Sequence, residues 1–187
     1  SNNELSKPSQ IGNHFIAIPN EHGLLLIHQR RAHKRILFEY FQSILKKKKG
    51  QSQQLLFPKE IILSNTELEF ITSIKKELNT VGFVFDFKDC TLIITGVPPE
   101  CQEENLQAVT ESLIEQAKNT EELKINQKDS LAKSLAISLA ISELKKLADE
   151  EMTSLKNELL KCESPSVCPS GKRTMINLKT VDLKKYF

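Results

Sequence analysis

The sequence predicts an α+β fold with two lobes, one built from both ends of the chain and one inserted between them. Short strand-like apolar runs occur near the start, in the middle and near the end of the chain, and helical periodicity follows them. A proline-containing segment, Gln53–Pro58, precedes a middle section that has its own strands and helices. We therefore predict residues 10–52 and 126–187 as one lobe and residues 53–125 as the other, after a disordered linker end at residues 1–9.

A hairpin and a long helix open the first lobe. Ile11–Ile18 alternates as a strand does, and Pro19–Gly23 has the composition of a turn. Leu24–Ile27 is a short continuous apolar run, which predicts a buried strand. Apolar residues then recur at spacings of three, four and seven, which predicts a helix over residues 29–47 that Gly50 ends.

The middle section has the elements of a small α+β lobe. Ser64 or Asn65 is a suitable N-cap for a helix that we predict over residues 66–78. Pro98-Pro99 breaks the chain before a further helix over residues 103–118. Three short apolar runs predict strands, the last two joined as a hairpin: Ile61–Leu63, Phe83–Phe87 and Thr91–Ile94.

The last section predicts two helices, a strand and final helical turns. Asp129 is placed to cap a helix in which Ser-Leu-Ala recurs every four residues, so leucines and small residues lie on neighbouring ridges. The remaining elements are a helix near Asp149–Lys161, a loop at Ser164–Gly171, a strand at Thr174–Leu178 and helical turns at Val181–Phe187. They complete the lobe that the first hairpin begins.

Composition narrows the functional classes. Apolar residues make up 39% and charged residues 27% of the 187 positions, which is typical of a globular protein. No apolar run approaches the ~18 residues of a membrane helix, and no secretory signal opens the chain. The four cysteines form no CxxC pair, and because no secretory signal is present we expect reduced thiols. There is no glycine-rich phosphate loop and no Ser-His-Asp arrangement, so we expect neither nucleotide binding nor triad catalysis.

Charge is unevenly distributed, although the formal net charge is only +2. Glu39 is the single acidic residue from position 30 to position 49. The same stretch, which covers most of the first helix and its end, contains eight cations: Arg30, Arg31, Lys34, Arg35 and Lys46–Lys49. The four cations at positions 30–35 are candidates for salt-sensitive contact with DNA phosphates. The alternative is a solvated helix whose terminal lysines favour the helix dipole.

Five segments carry more specific information: the hairpin of Gln10–Ile27, then His28–Glu39, Gln53–Pro58, Ala136–Met152 and Cys168–Thr174. In this order they resemble the opening hairpin, the DQHAxxExxxxE motif, the QxxLxP sliding-clamp motif, the ACxxA…EM helix pair and the CPHGRPT loop of MutL-type DNA mismatch-repair proteins. The resemblance is to the C-terminal domain of that family and extends over about Gln10–Phe187.

The resemblance implies a homodimer. Its dimerisation lobe is built from both chain ends, and the middle section forms an external regulatory lobe. Candidate interface residues are the apolar positions of 11–18 and 24–27, together with Leu135, Leu139, Tyr186 and Phe187. The family's ATPase lies in a separate N-terminal domain, so we expect this chain to be a fragment. The resemblance also implies a bacterial, cytoplasmic, nucleoid-associated protein.

The partners that the resemblance implies are a sliding clamp, a mismatch-sensor protein and DNA bound without sequence specificity. The residues at the clamp-motif positions are Gln53, Leu56 and Pro58, and such a motif lays apolar side chains of an extended peptide into a pocket. The alternative is a strand edge entering the core that Pro58 ends.

In nicking members of this family, Asp, His, Glu and Cys side chains surround one or two divalent metals, because these groups donate lone pairs to Zn²⁺ or Mn²⁺. Of the positions that the resemblance assigns to this site, Cys168 and Glu39 are retained. Five others carry residues that replace the expected ones: His28, Arg30, Lys34, Ile137 and Ser170. Arg30 and Lys34 lie one helical turn apart and repel a dication. We therefore predict no metal-dependent nicking, no catalytic residues, and no metal or other cofactor, Zn²⁺ and Mn²⁺ included.

Three alternatives stay open. The first is a substitute metal site made of Cys168, Cys162, His28 and His33, against the simpler view of a partly buried thiol beside unrelated imidazoles. The second is a divergent metal-dependent DNA endonuclease that uses Cys168, His28 and Glu39. The third is a nucleic-acid-binding module outside mismatch repair. Measuring the metal content distinguishes the endonuclease from the dimerisation domain. Measuring the oligomeric state, together with a salt titration of DNA binding, distinguishes the nucleic-acid-binding module from it.

Overall fold

The computed structural model describes residues 7–118 and 127–187. They contain helices and two antiparallel sheets, which confirms the predicted α+β class. The chain forms two compact units, one of residues up to Glu39 with Ala140–Phe187, the other of Tyr40–Leu139. No helix among the described residues is long and apolar enough to cross a membrane.

The limits of these units lie inside the long helix and at the end of a later one, rather than at 52/53 and 125/126. The predicted boundary at residue 126 falls outside the described residues, as do the predicted linker residues 1–6. The assignment of dimerisation and regulation to separate lobes stays a prediction.

The first unit contains a four-stranded sheet in the order β1-β2-β3-β7, with β7 contributed by the far end of the chain. Its strands are β1 (Ser9–Ile11), β2 (Phe15–Asn20), β3 (Gly23–His28) and β7 (Met175–Lys179). The prediction of one strand over residues 11–18 was wrong. Gly12 and Asn13 take left-handed conformations, with φ of 56° and 54°, and reverse the chain between β1 and β2.

One face of this sheet packs on α6 (Asp149–Lys161), which follows the predicted limits. Together they bury an apolar core: Ile16, Ile18, Ile27, Ala32, Leu147, Met152, Leu155 and Leu159. The Glu151 carboxylate accepts the Ala148 N–H at 2.8 Å and thereby satisfies the first turn of the helix. The chain continues through β7 to a short helix, α7 (Thr180–Leu183).

Helix α1 (Gln29–Lys47) has the predicted limits. Its periodic apolar residues are buried: Ala32, Leu37, Phe41, Ile44 and Leu45. The helix ends through Lys48, which takes a left-handed conformation (φ 54°), and not through Gly50. Gly50 is required for another reason, because a Cβ there would lie 2.0 Å from the Thr80 carbonyl oxygen.

The second unit contains a three-stranded sheet in the order β4-β6-β5. Its strands are β4 (Gln53–Ile62), β5 (Val84–Lys88) and β6 (Thr91–Val97). The predicted helix over residues 66–78 is two helices, α2 (Asn65–Ser73) and α3 (Lys75–Val81). They are separated at Ile74, whose φ of −111° and ψ of 11° are not helical.

Ser64 is the N-cap of α2, as predicted. Its Oγ accepts the Glu67 N–H at 3.4 Å and the Glu67 carboxylate accepts the Ser64 N–H at 2.9 Å, which completes a capping box. Two further helices belong to this unit, α4 (Leu106–Lys118) and α5 (Gln127–Leu139). Asp129 does not cap α5: the helix begins two residues earlier, and the Asp129 carboxylate accepts a hydrogen bond from Gln42 Nε2 at 2.7 Å.

Candidate functional site

Three residues on one side of α1 are spaced four apart and bind the loop that follows α6. Arg31 Nη1 donates to the Arg173 carbonyl oxygen at 3.2 Å, and Arg35 Nε donates to the Val167 carbonyl oxygen at 2.6 Å. Because residues at i and i+4 lie on the same side of a helix, Arg31, Arg35 and Glu39 form a continuous row. We call the row the brace and residues 162–174 the loop.

Glu39 is the acid at the end of the brace. Its carboxylate accepts the Glu163 N–H at 2.7 Å and the Ser164 N–H at 3.1 Å, and Arg35 Nη1 lies 3.4 Å from it. The two side chains are largely buried, with 11% of Arg35 and 19% of Glu39 exposed. The charges therefore neutralise each other while both satisfy main-chain groups of the loop, the arrangement that a buried ion pair needs.

The loop also holds its own shape. The Cys168 N–H donates to the Lys172 carbonyl oxygen at 2.8 Å, and the Gly171 N–H donates to the Cys168 carbonyl oxygen at 2.9 Å. Gly171 has a φ of 77°, which an L side chain rarely adopts. Thr174 joins the loop to the sheet, since its Oγ1 donates to the Pro165 carbonyl oxygen and its own carbonyl accepts the His28 N–H at 2.8 Å.

The opposite side of α1 binds the irregular segment of residues 141–147. Arg30 Nη1 donates to the Ile141 carbonyl oxygen at 3.3 Å, and His33 Nδ1 accepts the Ile141 N–H at 3.0 Å. Gln29 is fully buried, and its Nε2 donates to the Lys145 carbonyl oxygen at 2.9 Å. These side chains replace the secondary-structure bonds that an irregular segment lacks.

Burial changes the titration of the groups around α1. It lowers the pKa of His33 to about 4, so the imidazole is neutral and its Nδ1 is free to accept. Burial, with the nearby Arg30 guanidinium, lowers the pKa of Lys34. Burial and the neighbouring Glu39 carboxylate raise the pKa of the Cys162 thiol to about 11. Burial and Arg31 lower the pKa of His28.

The structure brings most residues of the degenerate endonuclease motif into the first unit, along α1 and the loop: His28, Arg30, Lys34, Glu39, Cys168 and Ser170. Ile137 lies in α5, in the other unit. Among residues 7–118 and 127–187, no three or more His, Cys, Asp or Glu side chains are grouped to hold a metal ion. Arg30 and Lys34 have no lone pair to offer while protonated. At positions 30 and 34 the residues present therefore offer a divalent metal no ligand, and the absence of a metal cofactor stays a prediction.

The four candidate DNA-contact cations are differently placed. Arg31 and Arg35 donate into the loop, and Arg30 donates to the 141–147 segment. The Arg35 guanidinium donates through two of its nitrogens, to the Val167 carbonyl and to Glu39. The DNA-contact assignment stays a prediction. No local pattern indicates the brace, because its hydrogen-bond partners are distant in the chain.

The clamp-motif segment lies on β4, which is an edge strand of the second sheet. Pairing with β6 is regular at Gln53 and Gln54 and resumes at Lys59, with a register shift between them. Inside this break Leu55 is buried, at 8% exposed, while Leu56 and Phe57 are 86% and 77% exposed. The motif resemblance identified Leu56 and Pro58 but not Phe57. The feature that could have indicated Phe57 is its position beside Leu56 in an apolar triplet.

The first sheet has a second face that is turned away from α6. Strand alternation places on it the residues whose neighbours point to the core. Registered rows join Ala17 with Leu26 and Ile176, and Leu24 with Leu178. Ile11 and Phe15 continue the face and are exposed, as is Ile176. We call this set the outer face.

Several of the candidate interface residues named from the sequence are not at the surface. Leu135 is fully buried and Leu139 is nearly so, both in the core of the second unit. Ile16 and Ile27 are also fully buried, in their case under α6, because alternate strand positions point inward. Phe187 is exposed, and the side chain of Tyr186 falls outside the described residues.

The chain matches a protein family described as the MutL C terminal dimerisation domain over residues 9–147. It is 38% identical over 95% of its length to the DNA mismatch repair protein MutL of Flavobacterium psychrophilum, of which it covers 29%. It is 35% identical over 95% of its length to the protein of the same name from Chloroherpeton thalassium, of which it covers 28%. The chain thus spans less than a third of the length of these curated relatives.

Proposed function

Because this chain belongs to the MutL C terminal dimerisation domain family, we propose that two copies associate through the outer face of the first sheet. The association joins two mismatch-repair proteins through this domain, and the second unit serves as a platform for their partners. The apolar outer face is the observation that carries this proposal. A sheet that packs one face on a helix normally exposes polar residues on the other, whereas this one exposes apolar residues.

The dimer is tested by light scattering of the isolated chain across a concentration series. We expect twice the mass of one chain, falling to one chain in the variant Phe15→Asp with Ile176→Asp, because charges on a buried apolar face oppose association. Leu144→Asp is the matched control, since Leu144 is exposed in the first unit but lies off the outer face. A single-chain mass for the unchanged protein at every concentration contradicts the proposal.

The second unit offers a segment for a sliding clamp. Leu56 and Phe57 are exposed in a stretch where the β4–β6 register breaks, and neighbouring Leu55 anchors the segment in the core. Exposed apolar side chains on an anchored, extended edge segment suit insertion into an apolar pocket. We expect Leu56→Ala with Phe57→Ala to weaken clamp binding by at least about tenfold in surface plasmon resonance. Undiminished binding contradicts the clamp site.

Loss of metal-dependent nicking is part of the proposal. Arg30 and Lys34 stand where two ligands are expected in nicking relatives, and Glu39 is occupied by Arg35 and the Glu163 and Ser164 N–H groups. A plasmid-nicking assay with Mn²⁺ is therefore expected to show no activity above buffer. Nicking that disappears in Cys168→Ala would refute this and favour the endonuclease alternative.

The mismatch-sensor protein and DNA remain further proposed partners of the dimer. For DNA, the exposed lysines and the cations of α1 support a weak, sequence-independent contact. A salt titration of binding to duplex DNA tests it, with a steep decline in affinity expected as salt rises.

A further inference from the structure

The lysine run Lys46–Lys49 lies in the second unit, at and just beyond the end of α1. All four residues are exposed, and none forms an ion pair within the part of the chain that the structure describes. Lys46 and Lys47 favour the C-terminal end of the α1 dipole, but Lys48 and Lys49 come after the helix has ended. The helix end therefore accounts for only half of the run.

The position of the run relative to β4 is fixed by close packing. A Cβ on Gly50 would lie 2.0 Å from the Thr80 carbonyl oxygen, and one on Gly82 would lie 2.0 Å from the Gln51 carbonyl oxygen. Two residues later Gln53 pairs with Val97 in the sheet. The connection from α1 to β4 is thus held against the end of α3 rather than free to swing.

This anchoring ties the lysine run to the start of the strand that carries the exposed apolar pair. Gln53 lies four positions after Lys49, so their Cα atoms are at most about 14 Å apart. From Lys46 to Lys59 the chain carries five lysines and no acidic residue. Leu56 and Phe57 lie in this stretch and are its most exposed apolar residues. From Lys46 to Lys59 the chain thus combines two exposed apolar side chains with charged residues of positive sign only.

We infer that Lys46–Lys49 and the Leu56–Phe57 pair form one docking surface, whose partner is a protein with an apolar pocket bordered by carboxylates. The inference rests on the proposed clamp site and extends it to the lysines. The apolar pair supplies the buried contact, and the lysines steer the partner and hold its acidic border. Charges at such a border act mainly on the association rate and on its salt dependence.

The test uses the full chain and a purified bacterial sliding clamp, without DNA, in surface plasmon resonance at several salt concentrations. In the variant with Lys46, Lys47, Lys48 and Lys49 all changed to Gln, we expect about tenfold weaker binding at about 50 mM salt, mainly through a slower association rate. We also expect the affinity of the variant to depend less on salt than that of the unchanged protein.

A matched variant changes four exposed lysines elsewhere to Gln and removes the same net charge: Lys128, Lys146, Lys161 and Lys184. We expect it to bind as the unchanged protein does. Circular dichroism melting confirms that both variants are folded. Equal clamp affinity and equal salt dependence in the Lys46–Lys49 variant would overturn the inference, while loss of binding in the Leu56–Phe57 variant would leave the proposed clamp site standing.

DNA supplies a second way to overturn the inference. If the Lys46–Lys49 variant loses affinity only when the clamp encircles DNA, the lysines contact phosphates and not the protein. If neither the apolar pair nor the lysines affect binding to the clamp, the proposed function fails together with the inference. The two failures are therefore distinguishable.

Discussion

The loop at residues 162–174 and the segment at residues 53–58 both belong to stretches that resemble the family's motifs, but they differ in their contacts. The loop is hydrogen-bonded to α1, whereas the segment leaves apolar side chains exposed. In the loop, the N–H groups of Glu163 and Ser164 and the carbonyls of Val167 and Arg173 bind side chains of α1. In the segment, ladder pairing lapses between Gln54 and Lys59, and two large apolar side chains are exposed.

The two regions differ in which of their groups are already bound within the chain. Many main-chain polar groups of the loop bind α1 or other loop residues, and these groups are not free to bind a metal or a substrate. An edge segment with an anchored neighbour and exposed Leu56 and Phe57 has unused binding capacity. The region that resembles a catalytic site is thus engaged in contacts within the chain, whereas the region that resembles a short linear motif leaves Leu56 and Phe57 exposed.

The brace is broken most directly by Glu39→Ala. The carboxylate accepts two main-chain N–H bonds and neutralises Arg35, so we expect the free energy of unfolding to fall by about 3 kcal/mol. Urea denaturation measures the loss. Glu39→Gln keeps one acceptor oxygen and is expected to lose less. A variant within about 0.5 kcal/mol of the unchanged protein would show that the loop does not depend on the brace.

Acid is expected to weaken the other side of α1. His33 has a pKa of about 4 when folded and about 6.5 when unfolded, so between these pH values only the unfolded chain binds the proton. Stability from this group is therefore present above about pH 6.5 and lost as the pH falls to about 4, by up to about 3 kcal/mol.

Urea denaturation from pH 7 to pH 4 measures the effect, with His33→Gln as the control. Glutamine retains an acceptor for the Ile141 N–H but does not titrate. The difference between the two proteins therefore isolates His33 from the carboxylates. Parallel pH dependence in both would mean that His33 is not the group responsible.

Arg35→Lys tests whether the shape of the guanidinium matters to the brace. Arginine reaches both the Val167 carbonyl and Glu39 through separate nitrogens, and lysine has one. We expect a loss of about 1–2 kcal/mol in urea denaturation. Arg173→Lys is the control, because the Arg173 side chain is exposed and only its carbonyl contacts the brace. Equal values for both variants would contradict a specific role for Arg35.

Local signals in the sequence predicted elements better than their breaks. The limits of α1 followed from apolar periodicity, and the Ser64 cap followed from residue type, because both depend on neighbours in the chain. The division of the first strand was missed because apolar alternation continues across Gly12 and Asn13. The break at Ile74 has no glycine or proline to mark it.

The candidate site was predicted in its membership but not in its contacts. The replaced ligand positions were read from the motif order, and the structure places all but Ile137 in one unit. The bonds of Glu39 to Glu163 and of Arg35 to Val167 join positions 124 and 132 residues apart. Such pairs are set by tertiary packing, which no local pattern encodes.

The smallest expected effect on stability is at the clamp-motif segment, where the exposed pair Leu56 and Phe57 can be compared with the buried neighbour Leu55. Leu56→Ser with Phe57→Ser changes two side chains that are already in solvent, so we expect the free energy of unfolding to stay within about 0.5 kcal/mol. Leu55→Ser, one residue away, places a hydroxyl in the core and is expected to cost about 2–4 kcal/mol. Urea denaturation of the two variants compares them directly. A large loss in the double variant would mean that Leu56 and Phe57 support the fold, which would remove the reason for assigning them to a partner.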